Sequence, residues 1–221
     1  STIMINLRNF SLLRWVVILS GLLLGRPVQA DDWPGARPFQ IFSASEKYFV
    51  RFVPGESIGD TVDFAGGRKG KFASALLYAR QADRSYKLLH EIALQNPVAP
   101  VDALVADQGY FITLDNWHNL GYGKVVAIYG PAGKLIRSFE IGELYPGQLL
   151  ERIPRSVSSR HWRCQPSHFV EPKEQRSVFV GEAMGGYFVF TLASGKMTYE
   201  AGTRKECIAP SGPLSQTRIG Q

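Results

Sequence analysis

Metal-ligating side chains are scarce in this chain, whose 221 residues hold two cysteines, Cys164 and Cys207, and four histidines. That scarcity excludes multi-thiolate sites. A two-thiolate, two-imidazole set can be drawn from His161, Cys164, His168 and Cys207, but its H-x2-C-x3-H spacing is not a standard zinc pair. No metal or other cofactor is expected. Acid is missing from residues 1–30, which carry Arg8, Arg14 and Arg26. Also missing is any apolar run of about 20 residues, the length a membrane-spanning helix needs. The longest, Trp15 to Gly25, has instead the length of a signal-peptide core. Concentrated positive charge is absent too: without residues 1–30 the formal charge falls from +6 to +3, with both signs spread along the chain. Nucleic acid is therefore not an expected partner. Gly66-Gly67-Arg68-Lys69-Gly70-Lys71, the densest basic run, reads as a solvated loop.

The start of the chain reads as a secretory signal. A basic stretch precedes the apolar core, Arg26 closes it, and Val28-Gln29-Ala30 places modest side chains before the bond Ala30–Asp31. Residues 1–30 are thus expected to be cleaved, leaving a periplasmic or secreted protein with no membrane span. No cysteine sits near the cut, which argues against a lipoprotein. Two cysteines in an oxidising compartment predict a Cys164–Cys207 disulfide. Closing that loop would contribute about 4 kcal/mol and tie down a polar tail, residues 202–221.

The rest has the size of a single domain. After a turn-rich lead, residues 31–45, short runs rich in Val, Ile, Tyr and Phe recur: Tyr48–Val53, Ala75–Arg80, Tyr86–Ile92, Val101–Ala106, Tyr110–Leu114, Val125–Tyr129, Leu135–Ile141, Ser177–Gly181, Tyr187–Leu192 and Met197–Glu200. Turns such as Asp107-Gln108-Gly109, Gly130-Pro131-Ala132-Gly133 and Ala193-Ser194-Gly195 are short enough to join antiparallel neighbours. The pattern predicts an all-β domain over 46–201, built of meandering antiparallel hairpins. One short helix is expected near 146–153, between Pro146 and Pro154.

The hairpins repeat. Val126-Ala127-Ile128-Tyr129, a turn ending in Gly133-Lys134, then Leu135 and Ile136 matches Phe188-Val189-Phe190-Thr191, a turn ending in Gly195-Lys196, then Met197 and Thr198. A looser copy runs from Ala75 through Asp83-Arg84 to Leu88. Over residues 46–201 the chain resembles the exported bacterial propeller-type β-repeat proteins. The resemblance implies a fold and no particular activity. About ten runs fill two to three four-stranded blades, fewer than the four that close a propeller. A β-sandwich and an open barrel therefore stay as alternatives.

Chemistry-bearing motifs are few. Gly55-Glu56-Ser57-Ile58-Gly59 spells a nucleophile elbow, yet no helix-forming run follows it and no parallel α/β sheet surrounds it. The most distinctive segment is Asp115-Asn116-Trp117-His118-Asn119-Leu120-Gly121-Tyr122-Gly123. Asp115, Asn116, Trp117, His118 and Tyr122 combine aromatics with hydrogen-bonding groups on a presumed loop, a mixture suited to a sugar or a peptide. The same residues also serve to shape a turn and close the end of a β core. Three functions follow: a non-enzymatic exported module binding a small ligand, a glycan or an envelope protein; a hydrolase-like enzyme using Asp115 and His118; or a structural envelope protein. Two measurements on the exported protein test its processing. N-terminal sequencing should begin at Asp31, and intact mass after alkylation should show no free thiol until reductant is added.

Overall fold

A computed structural model describes residues 33–57, 70–145, 147–156, 158–164 and 166–202. The chain divides into two compact units, 1–32 and 33–221, and every described residue belongs to the second. The expected signal, most of the Gly66–Lys71 run and Cys207 lie outside the described residues.

The described residues form three four-stranded antiparallel sheets, each a meander of strands consecutive in sequence. The first sheet comprises β1 (Phe39–Phe42), β2 (Tyr48–Val53), β3 (Ser74–Arg80) and β4 (Tyr86–Ala93). The second comprises β5 (Pro100–Val105), β6 (Phe111–Asn116), β7 (Lys124–Tyr129) and β8 (Leu135–Glu140). The third comprises β9 (His168–Phe169), β10 (Ser177–Gly181), β11 (Tyr187–Thr191) and β12 (Met197–Glu200). The all-β meander is as expected. Two strands are additional: β1 lies inside the presumed turn-rich lead, and β9 is two residues long, too short for an alternation to show.

Burial explains why the strands read differently from one another. In the outer sheets exposure alternates with the pleat, as in β10 and β11, where Val178, Val180, Phe188 and Phe190 point inward. The second sheet is covered on both faces, and β6 is buried along its whole length. Phe111, Ala127 and Tyr129 face the first sheet, among Val50, Phe52, Leu77 and Ile92. Ile112, Leu114, Val126, Ile128 and Phe139 face the third, among Val178, Val180, Phe188 and Phe190. A strand with a core on either side has no polar face, so its sequence is a continuous apolar run.

The expected helix takes another form. Beyond β8 the chain makes one α turn, α1 (Ile141–Leu144), where the Glu143 carboxylate accepts the Glu140 backbone N–H at 2.7 Å. A 3-10 segment, Gly147–Arg152, follows. Only a few residues separate Pro146 from Pro154, too few to repay the nucleation of a regular α-helix, and the tighter 3-10 turn suits so short a piece. Leu149 and Leu150 still pack against the core shared by the second and third sheets.

Tyr129 gives the fold a pH signature. Its ring stacks on Phe111 at 4.6 Å, and its hydroxyl oxygen accepts the Gln95 backbone N–H at 2.9 Å. Burial pushes its pKa above the ordinary 10, against a smaller lowering by that hydrogen bond. A group whose pKa folding raises contributes stability that is complete below its unfolded value and is lost as pH rises past it. The urea midpoint should therefore hold from pH 7 to 9 and fall above about pH 10. Tyr129→Phe, although less stable at neutrality, should show a shallower fall.

Candidate functional site

Asp115 and Asn116 continue strand β6, where the sequence suggested the start of a loop. Both are buried, as are Trp117 and Asn119, while His118 and Tyr122 are half-buried. The segment is an internal clamp, in which the polar groups of Asp115, Asn116, Trp117 and Asn119 have structural tasks. Asp115 adopts a left-handed backbone, φ 62°, which aspartate tolerates better than most residues. Its Oδ1 accepts the Trp162 indole N–H at 2.6 Å and the Gly121 backbone N–H at 3.0 Å. Its Oδ2 accepts Nε–H of Arg163 at 2.5 Å. The Arg163 side chain is fully enclosed, and its Nη1 reaches the Asp102 carboxylate at 3.4 Å. Gly121 must be glycine: its φ is +73°, and a Cβ there would lie 2.6 Å from the Arg160 carbonyl oxygen.

Asn96 and Asn116 fix the neighbouring backbone. The Asn96 amide donates to the Asp115 carbonyl at 3.0 Å and to Asn116 Oδ1 at 2.8 Å. Asn116 in turn donates to the carbonyls of Tyr122 at 2.6 Å and Lys124 at 3.2 Å. Trp117 donates its indole N–H to the Pro34 carbonyl at 3.0 Å and meets Trp33 edge-on at 5.4 Å. The His118 ring lies 6.0 Å from that of Trp33. Because both carboxylate oxygens of Asp115 hold donors other than an imidazole, the segment has the geometry of a scaffold rather than of an acid/base pair.

A second buried carboxylate, Glu182, lies across an isolated β-bridge from Arg163. It accepts the backbone N–H groups of Met184 at 2.8 Å and Gly186 at 2.7 Å. The Tyr145 hydroxyl sits 3.0 Å from the Trp162 carbonyl and 3.2 Å from Glu182 Oε2. Burial first, and the Glu182 charge second, push that phenol far above its usual range. Arg163, Glu182 and Tyr145 are not among the candidate residues that the sequence offers for a site. The adjacent Trp162-Arg163 pair was the available signal.

The remaining sequence candidates are dispersed. Ser57 is buried, and Gly55 is a packing position, since a Cβ there would lie 2.2 Å from the Pro97 carbonyl oxygen. His168 stacks on Phe179 at 4.7 Å on the outward side of the third sheet. The His161 backbone N–H donates to the Pro154 carbonyl, and Cys164 Sγ lies 3.2 Å from the Glu182 carbonyl oxygen. Among the described residues there is no free cysteine and no group of three side chains able to hold a metal ion. No helix among them is long and apolar enough to cross a membrane.

An accessible cleft opens elsewhere, where the β5–β6 turn approaches the end of β11. It encloses about 470 Å³ and is lined by Gln108, Tyr110, Glu174, Arg176, Thr191 and Leu192 among others. Arg176 Nε lies 3.3 Å from the Glu174 carboxylate, and Gln108 donates to the Glu174 carbonyl at 2.9 Å. Gln175, also in the lining, accepts the Asp107 backbone N–H at 2.6 Å and so joins this wall to the β5–β6 turn. No protein-family model matches the chain, and a search of curated proteins finds no match.

The scaffold assignment of Asp115 has a measurable consequence. Asp115→Ala leaves the enclosed Arg163 without its closest counter-charge and should cost about 3–5 kcal/mol in urea unfolding. His118→Ala, at a half-buried position, should cost about 1 kcal/mol or less. Near-wild-type stability of the Asp115 variant would return that carboxylate to the list of reactive groups.

Proposed function

We propose that the protein is an exported, non-enzymatic β module that binds a small, uncharged, hydroxyl-rich ligand of the glycan class in the cleft beside Tyr110. The carrying observation is the cleft itself, a concavity of about 470 Å³ that falls in the size range of small-molecule sites. Its lining supports the ligand class. Glu174 and Arg176 neutralise each other, so a ligand of either sign gains little from them. Ala193 and the Tyr110 ring supply apolar surface for the face of a sugar, while Gln108 and Thr191 supply partners for hydroxyls.

In this reading the Asp115–Tyr122 segment is the clamp that holds the module together. The signal in residues 1–30 delivers it to the periplasm or the exterior, and the Cys164–Cys207 bond ties down its tail. The hydrolase alternative has less support, because the Asp115 carboxylate is enclosed and fully engaged.

The test is a titration of isotope-labelled protein with glucose, galactose and N-acetylglucosamine disaccharides, followed by amide shifts. The expected perturbations centre on 108–110, 174–176 and 191–193. Gln108→Ala and Thr191→Ala should each weaken binding about tenfold, equivalent to about 1.4 kcal/mol. Perturbations centred on His118 and Tyr122 would move the site to that segment. No response to any of the sugars would overturn the ligand class.

A further inference from the structure

The three sheets stack in chain order, and the two ends of the stack share a construction. On the outward face of the first sheet, Phe42, Phe49, Tyr78 and Leu88 are cross-strand partners in succession, one apolar row spanning all four strands. Neighbouring rings touch: Phe42–Phe49 at 4.9 Å, Phe49–Tyr78 stacked at 4.4 Å, and Tyr86 edge-on to Phe49 at 4.8 Å. Phe42 is 42% exposed and Leu88 45%. A contiguous apolar row open to water marks an interaction surface. On the outward face of the third sheet, Thr198, Val189, Phe179 and His168 form the corresponding row, again across all four strands.

We infer that the outward face of the first sheet docks on the outward face of the third sheet of a second copy, reciprocally, so that two copies close a ring of six sheets. The argument begins from continuity. Inside the chain, each face of the second sheet is covered by another four-stranded meander. Sheet three of a second copy laid on sheet one repeats that contact and extends the stack. Size then separates closure from its rivals. At about 4.8 Å between strands and about 3.3 Å per residue, the first sheet presents a face of about 400 Å² and the third, whose strands are shorter, about 250 Å². A closed pair covers two faces of each kind, about 1,300 Å², within the range of stable interfaces. First sheet against first sheet covers only about 800 Å², the extent of a packing contact. Head-to-tail contacts that fail to close grow into filaments, whereas six sheets fall within the four to eight that close a ring.

The test is the mass of the purified chain by sedimentation equilibrium from 1 to 100 μM, with two variants carrying a lysine at one end of the stack each. The expected result is a dimer whose dissociation constant rises at least tenfold in Leu88→Lys and also in Val189→Lys. Both positions lie on outward faces, so far-ultraviolet circular dichroism and the urea midpoint of each variant should match the parent once dissociated. A monomer throughout the range would overturn the inference. So would a dimer sensitive to Leu88→Lys and indifferent to Val189→Lys, which identifies first-sheet pairing, or a mass that climbs without limit. Sugar binding is read by a different signal at a different place, so either proposal can fail alone.

Discussion

Arg163 enters the interior with its side chain fully enclosed, and the Asp115 carboxylate 2.5 Å from its Nε is what makes that burial tolerable. Removing two charges from water costs several kcal/mol for each, and the attraction between them offsets this only when the remaining hydrogen-bonding capacity is also used. Asp115 uses its own, with Trp162 and Gly121 on its other oxygen, and Arg163 Nη1 reaches Asp102, while among the described residues Arg163 Nη2 has no hydrogen-bond partner. The result joins three pieces of chain that share no strand ladder, namely the end of β6, the turn before β7 and the irregular stretch that leads into β9. That stretch has almost no regular structure of its own, so its course depends on these side-chain ties together with isolated backbone bonds, such as Arg160 to Leu120 and Cys164 to Gly181. Tyr145 and Glu182 extend the ties to the third sheet. A buried pair of this kind specifies a unique arrangement more than it adds net stability, because an apolar replacement of the same volume would cost nothing to desolvate.

The second constraint is the double coverage of the middle sheet. Because β6 and β7 have a core on either side, every side chain along them is matched against a neighbour, and volume changes there are felt on both faces. The outer sheets carry half of that burden. Their inward residues interdigitate with the middle sheet, while their outward residues keep partly exposed aromatic surface held by ring-to-ring contacts. This asymmetry separates the parts of the sequence under packing constraint from those left for recognition.

Most of the fold was legible because strand patterning is local. The limits expected for β2, β10 and β12 coincide with those observed, and the others shift by a residue or two, as strand ends do. What was illegible depended on partners distant in sequence. β1 looked like part of a turn-rich lead until its pairing with β2 supplied a ladder. Asp115 and Asn116 looked like loop residues because they are polar, yet β6 runs through them, since Asn96, Trp162 and Arg163 satisfy their polar groups from 19 to 48 residues away. The short helix expected near 146–153 is present as the 3-10 segment Gly147–Arg152, because too few residues lie between the prolines for a regular α-helix.

The same reasoning explains why the most distinctive segment of the sequence and the cleft beside Tyr110 fall in different places. Asp, Asn, Trp and His in close succession draw attention as chemistry, and here their hydrogen bonds are spent on backbone carbonyls, an indole and a guanidinium. Once both oxygens of Asp115 are committed, a ligand could engage that carboxylate only by breaking a buried bond, at a cost no exposed contact would return. Tyr110 and Arg176 stand in an ordinary stretch of sequence and carry no motif. They lie where two sheets part at the end of their strands, and the polar ties there, such as Arg176 to Glu174, are made at exposed positions where a ligand can compete for them. Recognition is therefore better sought at the seam between sheets than in the polar turn that holds the sheets together.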